Sequence, residues 1–477
     1  MGLHFPKERW RDLERGIRSA ALAAGGNRTA RAYAEWILSA ALTHAQIETL
    51  ASELTVGETY FFREYRSFEA LADTVLPELI CQRRGNGRRL RIWSAGCCTG
   101  EEAYSLAILL DRFLPEVRDW EISILATDIN PRFLQKAAAG VYGEWSFRNP
   151  PEWLKGNYFK PLDGSRYEIL PRIRRKVNFA CLNLAEDVFP TLANNTNAMD
   201  LIFCRNVLMY FTPECARNAA ANFHRALVDG GTLVTSATET SPQLFHVFEA
   251  IHFDGAVLYS KGKRIASQSP AFQFPIEPPA WSVPPAAPAF FELSAPVSPV
   301  VVEPGVPAEE MAAVPSAIHE RSMELFKQGN YIEAAGVLQS APISTARDAA
   351  LMARICANLG RLAEALSWAD QAVAMDKLDP GLHYLRAVIL QELGALEDSA
   401  AALKRAIYID PGLILAHYAL GTLAQRLDRP GETSRHFANT LRLLEHHPAD
   451  EILPQSDGLA AGRLREMIHS FRGMATA

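Results

Sequence analysis

The stretch Arg91-Ile92-Trp93-Ser94-Ala95-Gly96-Cys97-Cys98-Thr99-Gly100-Glu101-Glu102-Ala103-Tyr104-Ser105 decides the fold. Leu90 to Trp93 reads as a buried strand, the small residues after it as a turn, and the run on through Ala107-Ile108-Leu109-Leu110 as a helix. Small residues between a strand and a helix let a ligand sit against the helix N-terminus. Only Gly96 and Gly100 fall in the turn, so the spacing is not the dinucleotide fingerprint. The next strand, Ile122 to Asp128, ends in an acid placed to accept hydrogen bonds from ribose hydroxyls.

Working outward, residues 80–265 alternate strand and helix patterns, which predicts a parallel, doubly wound sheet. Further strands are expected at Val177–Leu184, at Met199–Asn206 and after the Gly230-Gly231 turn. Polar residues stand just past the strands' carboxyl ends, at Asp128, Asn183, Arg205-Asn206 and Glu239, the edge where such sheets bind ligands. From about 140 to 178 the helix pattern lapses, and Tyr158-Phe159 and Tyr167-Glu168-Ile169-Leu170 suggest a small antiparallel insert. The expected α/β domain, insert included, is residues 79–265.

Upstream, residues 1–78 read as a helical N-terminal domain, with Trp10, Leu13, Ile17 and Ala20 at helical spacing. Residues 1–31 hold seven Lys/Arg against three Asp/Glu, which fits either a solvated helix face or a surface for an acidic partner. Thr43-His44-Ala45-Gln46 resembles a capping box. Then comes the aromatic run Gly57-Glu58-Thr59-Tyr60-Phe61-Phe62-Arg63-Glu64, in which Thr59 and Arg63 would share one face of a helical turn. A buried arginine there needs an anion, which makes Arg63 a candidate for holding a carboxylate.

The 477 residues predict two or three domains, and a net charge of −6 describes no general nucleic-acid binder. No apolar run approaches the ~18 residues of a membrane span, so no membrane insertion is expected. The charged residues 1–20 lack a signal-peptide core, and seven unpaired-looking cysteines fit a reducing cytoplasm and no metal site.

Residues 266–316 hold twelve of the 29 prolines and read as a semi-extended linker that gives reach without fixing orientation. Residues 317–445 carry a 34-residue period: Gly360 and Gly394 recur with Asp428 in the third place, as do Asp376 and Asp410. The blocks Leu359–Ala365 and Leu393–Ser399 match tetratricopeptide (TPR) units, the first of which is out of step by three residues. Residues 446–477 form a tail with an expected capping helix over Ala461 to Met474. Such an all-α solenoid binds proteins or peptides and seldom catalyses.

Together, Gly57–Glu64, the Ser94–Ser105 turn, Ala126-Thr127-Asp128-Ile129-Asn130 and Ile202–Phe211 resemble the chemotaxis receptor methyltransferases of the CheR family over roughly residues 10–262. The resemblance implies a helical N-terminal domain, a doubly wound methyltransferase sheet with a small β insert, and transfer of a methyl group from S-adenosylmethionine to receptor glutamates. It implies that Thr59 and Arg63 line the methionine end and the reacting centre, that Glu102 meets the amino-acid portion, and that Asp128 holds the ribose. Asn183 and Leu184 would border the adenine, Arg205 and Asn206 would close the floor, and Tyr210 would stand near the methyl group. Gly57 departs from the family, which often has Asn there.

A glutamate carboxylate, with a pKa of about 4.3, is ionised at pH 7 and attacks a sulfonium methyl without a general base. Alignment then dominates catalysis, so no Ser-His-Asp or metal cluster is required. The expected partners are a methyl-accepting receptor and a protein held by the repeats. The alternatives are a TPR scaffold with a weakened catalytic domain, and methylation of another acceptor.

Overall fold

The structure, a computed structural model, describes residues 1–24, 29–39, 42, 44–84, 88–112, 120–148, 150–185, 189–262 and 308–475. Three helices, Trp10–Ala23, Ala30–Leu38 and His44–Leu54, open the chain. They bury Ala20, Ala21, Tyr33 and Leu50 against Ile17 and Leu54. Gly16 permits the first and third to close up, since a Cβ there would lie 2.5 Å from Leu54 Cδ2. Trp10, expected on the buried face, is instead 57% exposed, and its Nε1 donates to the Phe5 carbonyl at 3.2 Å. The local arginines pair along their own helices, Arg15 with Asp12, Arg18 with Glu14 and Arg31 with Glu35, which describes a solvated face. Thr43 of the expected capping box lies outside the described residues.

The sheet has ten strands in two groups among the described residues. These are β1 (Arg89–Ala95), β2 (Glu121–Asp128), β3 (Val141–Gly143), β4 (Phe159–Leu162), β5 (Arg166–Ile169), β6 (Val177–Cys181), β7 (Met199–Phe203), β8 (Leu227–Val234), β9 (Glu249–Phe253) and β10 (Ala256–Ser260). Seven form one sheet in the order β6-β2-β1-β7-β8-β10-β9. The run β6-β2-β1-β7-β8 is parallel, and β10 pairs antiparallel with both β8 and β9. The terminal β9–β10 hairpin was not legible in the sequence, and β8 begins at Leu227 and runs through the Gly230-Gly231 pair expected to precede it. The strand order reverses between β1 and β7, so the crevice past their carboxyl ends is the switch point of the sheet.

The insert is the three-stranded antiparallel sheet β3-β5-β4. It is fastened to the aromatic run by Phe61, whose ring lies 5.0, 5.1 and 4.9 Å from those of Tyr142, Phe147 and Phe159.

Beyond 307 the fold is helical. Helices begin at Ala346, Pro380 and Ile414, and their partners at Leu362, Leu396 and Pro430, so both series repeat every 34 residues. The turn inside each pair needs a left-handed residue: Gly360 and Gly394 have φ of +73° and +76°, and Asp428 adopts +54° in the third. These pairs are tetratricopeptide units. An earlier pair, Ala308–Gln328 with Tyr331–Leu338, precedes them, so the last part of the expected linker, 308–316, is helical; the remainder lies outside the described residues. Helix Ala461–Ala475 caps the array, with Leu464, Met467 and Ile468 buried in its core.

The repeats do not hang free, as the linker reading expected. They pack on the uncovered side of the sheet, where Arg91 of β1 forms an ion pair with Glu392 at 3.4 Å, each side chain no more than 5% exposed. Arg91 also donates to Asn195 Oδ1 at 2.8 Å. Leu192, from the segment before β7, joins the apolar core of the repeats. Glu392→Ala leaves the guanidinium buried without its carboxylate, a defect of about 3 kcal/mol. The urea midpoint of the repeat transition should fall accordingly; an unchanged midpoint would place the repeats elsewhere.

Candidate active site

Past the carboxyl ends of β1, β2, β6 and β7 lies a cleft of about 1070 Å3 of empty volume, its mouth included. The turn after β1 shapes its floor. Gly96, Cys98 and Gly100 have φ of +84°, +51° and +92°, and a Cβ on Gly96 would lie 2.4 Å from Val207 Cγ2. Only a glycine lets the loops after β1 and β7 touch there.

Asp128 stands at the end of β2 and is buried. Its Oδ2 accepts from the Cys98 amide and its Oδ1 from the Asn130 amide, both at 2.8 Å. Burial raises its carboxyl to about 6, against the opposing pull of the backbone amides of Asn130, Cys98 and Ile129. Each oxygen retains lone pairs for further donors in the cleft.

Glu102 opens the helix Glu101–Arg112. Its Oε1 accepts from Ser94 Oγ at 2.8 Å, and its Oε2 lies 3.5 Å from Arg205 Nη1. Burial raises its pKa, and Arg205 and Ser94 oppose the rise. The neighbouring Glu101 turns the other way, accepting from Thr99 Oγ1 at 2.6 Å and Ser146 Oγ at 2.8 Å, and so ties the turn to the insert.

The buried arginine of the site is Arg205, not Arg63. Arg205 reaches Glu64 at 3.4 Å and Glu102, and its Nη2 donates to the Arg63 carbonyl at 2.5 Å. Arg63 is half-buried; its Nη1 donates to the Glu58 carbonyl at 2.6 Å. Thr59 and Arg63 share no helical turn, since 55–64 is irregular and Phe62 and Glu64 have φ of +56° and +54°. A bulky residue in that region is strained, and the Phe62 amide is anchored by donating to Ser105 Oγ at 2.9 Å. Both residues reach the cleft nonetheless.

Asn206 adopts φ +57°, and its Nδ2 donates to Ser236 Oγ at 2.9 Å. Glu239, noted in the sequence as a strand-end polar group, does not line the cleft. Its buried carboxylate accepts from the amides of Asn206, Val207 and Met209 at 2.6, 2.8 and 3.1 Å, clamping the loop that carries Asn206.

Thr59, Arg63, Glu102, Asp128, Asn183, Leu184, Arg205, Asn206 and Tyr210 all line the one cleft. Gly57 does not. Its Cα faces the ring of Phe133, and a Cβ there would lie 2.8 Å from Phe133 Cζ. The sequence reading also missed Met1, Leu3, His4, Phe5 and Arg9, which line the mouth. A bridge between Leu3 and Phe211 fixes them, and the Arg9 guanidinium lies 5.1 Å from the Tyr210 ring centroid. His4-Phe5 ahead of the first helix was their only signal, and it has no period.

A parallel sheet with a strand-end acid at its switch point, a buried Glu102–Arg205 pair and apolar walls at Leu182 and Leu184 forms a cleft of the kind that takes a nucleoside-bearing cofactor. Comparison with known proteins names the family. Residues 57–257 match the CheR methyltransferase, SAM binding domain. The chain is 35% identical over 216 residues to chemotaxis protein methyltransferase 2 of Vibrio cholerae, covering 45% of this chain and 73% of that protein. It is 37% identical over 225 residues to a probable chemotaxis protein methyltransferase of Rhizobium etli, covering 46% and 81%. The chain belongs to the CheR methyltransferase family, and its methyl donor is S-adenosylmethionine. The repeats have a slight likeness to Desulfovibrio magneticus MamA, at 21% identity and a TM-score of 0.27 over 29% of this chain and 80% of that one. Their assignment rests on the 34-residue period and the helix pairing, not on that likeness.

The Phe133 ring accounts for the departure at Gly57, because the two compete for one volume. Gly57→Asn should therefore destabilise the catalytic domain by about 1–3 kcal/mol, and Phe133→Ala in the same chain should recover most of that loss. Unfolding midpoints of the two single variants and the double variant test it; strictly additive effects would show that the two positions do not compete.

Proposed function

We propose that this chain transfers the methyl group of S-adenosylmethionine to glutamate side chains of chemoreceptor-like signalling proteins, forming methyl esters, while its repeats hold a protein partner. The observation that carries the reading is the convergence of nine side chains, assigned by family resemblance, on one cleft at the sheet's switch point. The donor supplies an electrophilic methyl on a sulfonium. Asp128 takes its ribose hydroxyls and Glu102 its amino-acid portion, Arg205 and Asn206 close the floor, and Leu184 with Asn183 borders its base. Thr59, Arg63 and Tyr210 face the methyl.

The chain's residues align the reactants and move no proton. An acceptor carboxylate is already ionised at neutral pH, so its oxygen forms the C–O bond as the C–S bond breaks, and neutral thioether leaves. Arg63, half-buried and bonded only to a carbonyl through Nη1, orients an acceptor carboxylate without quenching it. Arg205 is unsuited to that task, being already shared between Glu64 and Glu102.

Labelled donor incubated with a receptor's cytoplasmic fragment should give base-labile radiolabel, released as methanol. Base-stable label would assign another acceptor. Arg63→Ala should lower turnover at saturating donor by about tenfold or more, the value of one charged hydrogen bond of ~1.5–3 kcal/mol, with little change in donor affinity. Turnover near wild type would make Arg63 structural.

Asp128→Ala should weaken S-adenosylhomocysteine binding at least about tenfold by calorimetry on the same scale; unchanged affinity would move the ribose site. The wild type adds a pH signature. A carboxyl raised to about 6 is protonated as pH falls through 6, so ligand affinity should drop between pH 7 and 5. The apo fold responds oppositely. Its share of stability from this group is fully present below the unfolded value of 3.8 and is lost as pH rises through about 6. Affinity in the alanine variant should be flat across that window.

A further inference from the structure

A second cleft, of about 2160 Å3 of empty volume including its open mouth, separates the repeats from the sheet. β2 presents Glu121, Ser123, Leu125 and Thr127 to it, mainly the alternate residues of one sheet face. β6 presents all of Val177 to Cys181. Consecutive residues on one wall mean that the cleft wraps round the strand's edge, and β6 is the end strand of the seven-stranded order. An end strand leaves a row of backbone donors and acceptors for an added strand.

The opposite wall comes from the inner helices Pro380–Glu392 and Ile414–Arg426. The lining cations are Arg89, Arg175, Lys176 and Arg426, against Glu121 and Glu392. Glu392 is turned to Arg91, Glu121 lies 3.9 Å from Arg89 Nε, and Lys176 is paired with Asp111 at 2.7 Å, so Arg175 and Arg426 carry the cleft's remaining positive charge. Nε and Nη1 of Arg89 and Nε2 of Gln391 are buried donors without a hydrogen bond, and the Glu392 carboxylate oxygens are buried acceptors without one. The floor between them is apolar at Leu125, Leu192 and Val388.

We propose that this cleft binds an extended acidic peptide of a partner protein, added as a strand to the open edge of β6 and read from above by the repeats. Alternate side chains of the peptide would point to the apolar floor, and its carboxylates to Arg89, Arg175 and Arg426. This rests on the reading that the repeats hold a protein partner, and it is independent of the identity of the methyl acceptor.

The test is fluorescence anisotropy with the full chain and a fluorescein-labelled decapeptide alternating valine and glutamate, beside glutamine and lysine analogues. The glutamate peptide should bind, more weakly as salt rises, with the glutamine analogue at least about tenfold weaker and the lysine analogue weaker still. Arg175→Glu and Arg426→Glu, both exposed and remote from the methyl-transfer cleft, should each weaken it about tenfold. Their S-adenosylhomocysteine affinity should stay at the wild-type value, which reports an intact fold. Equal binding of the glutamine analogue, or unchanged binding by both variants, would overturn the proposal and leave recruitment to another face of the repeats. No binding of any of the three peptides would overturn it as well. Methyl transfer by the same variants reads the acceptor proposal separately.

Discussion

Three carboxylates are taken out of water around one turn, and each must be held by hydrogen-bond donors or a cation if the fold is to stand. Asp128 is held by amides from the turn after β1 and from its own strand end. Glu102 is held by Ser94 and Arg205, and Glu239 by the amides of Asn206, Val207 and Met209 in the loop after β7. Burial raises all three pKa values, so the acids resist ionisation and the donors around them are what make ionisation tolerable. The same bonds set the backbone. Asp128 fixes the Cys98 turn, and Glu239 fixes the left-handed Asn206. The cleft owes its shape to the satisfaction of buried charge.

That economy explains what the sequence disclosed. Motifs dense in small residues and strand-end acids were legible because the chemistry needs those residues at those places, and the repeats because a 34-residue period needs a left-handed residue at each turn. Arg205 was read only as floor, because nothing in Cys204-Arg205-Asn206 says that Glu64 and Glu102 converge on it from other elements. Arg63 was misread for the converse reason: helical spacing was assumed where Phe62 and Glu64 turn left-handed. The cleft's mouth was missed altogether. Met1 to Arg9 reach it through the bridge of Leu3 to Phe211 and the stacking of Arg9 on Tyr210, contacts more than 200 positions apart that leave no periodic trace.

The docking of the repeats has a cause in the sheet. In the described residues no helix of the catalytic domain covers the face of β2 bearing Glu121, Ser123, Leu125 and Thr127, and the repeats lie over it. That face is largely polar, with Arg91 beside Glu121, Ser123 and Thr127, so the repeats meet it through ion pairing as well as through the apolar Leu125 and Leu192. Arg91 shows how the junction is made specific. It starts within the sheet's first strand, yet its charge is answered by Glu392 in the repeats and by Asn195 in the loop before β7. The repeats therefore complete the catalytic domain as well as extending it.

One helix belongs to both clefts. Pro131–Ala139 begins at Asn130, whose Oδ1 accepts from the Arg132 and Phe133 amides at 2.9 and 3.3 Å and whose Nδ2 donates to Thr55 Oγ1 at 2.9 Å. Phe133, in its first turn, walls the cleft at the sheet's switch point, while Ala138, in its last, walls the cleft beneath the repeats beside Met467 of the capping helix. Ala137 between them is fully buried and its carbonyl accepts from Tyr104 at 2.9 Å, so the helix has no slack against the sheet. A short helix with fixed ends moves as a unit or not at all. The same helix of nine residues, about two and a half turns, places Phe133 beside Gly57 and Asn130 beside Asp128 at one end and Ala138 on the second cleft at the other.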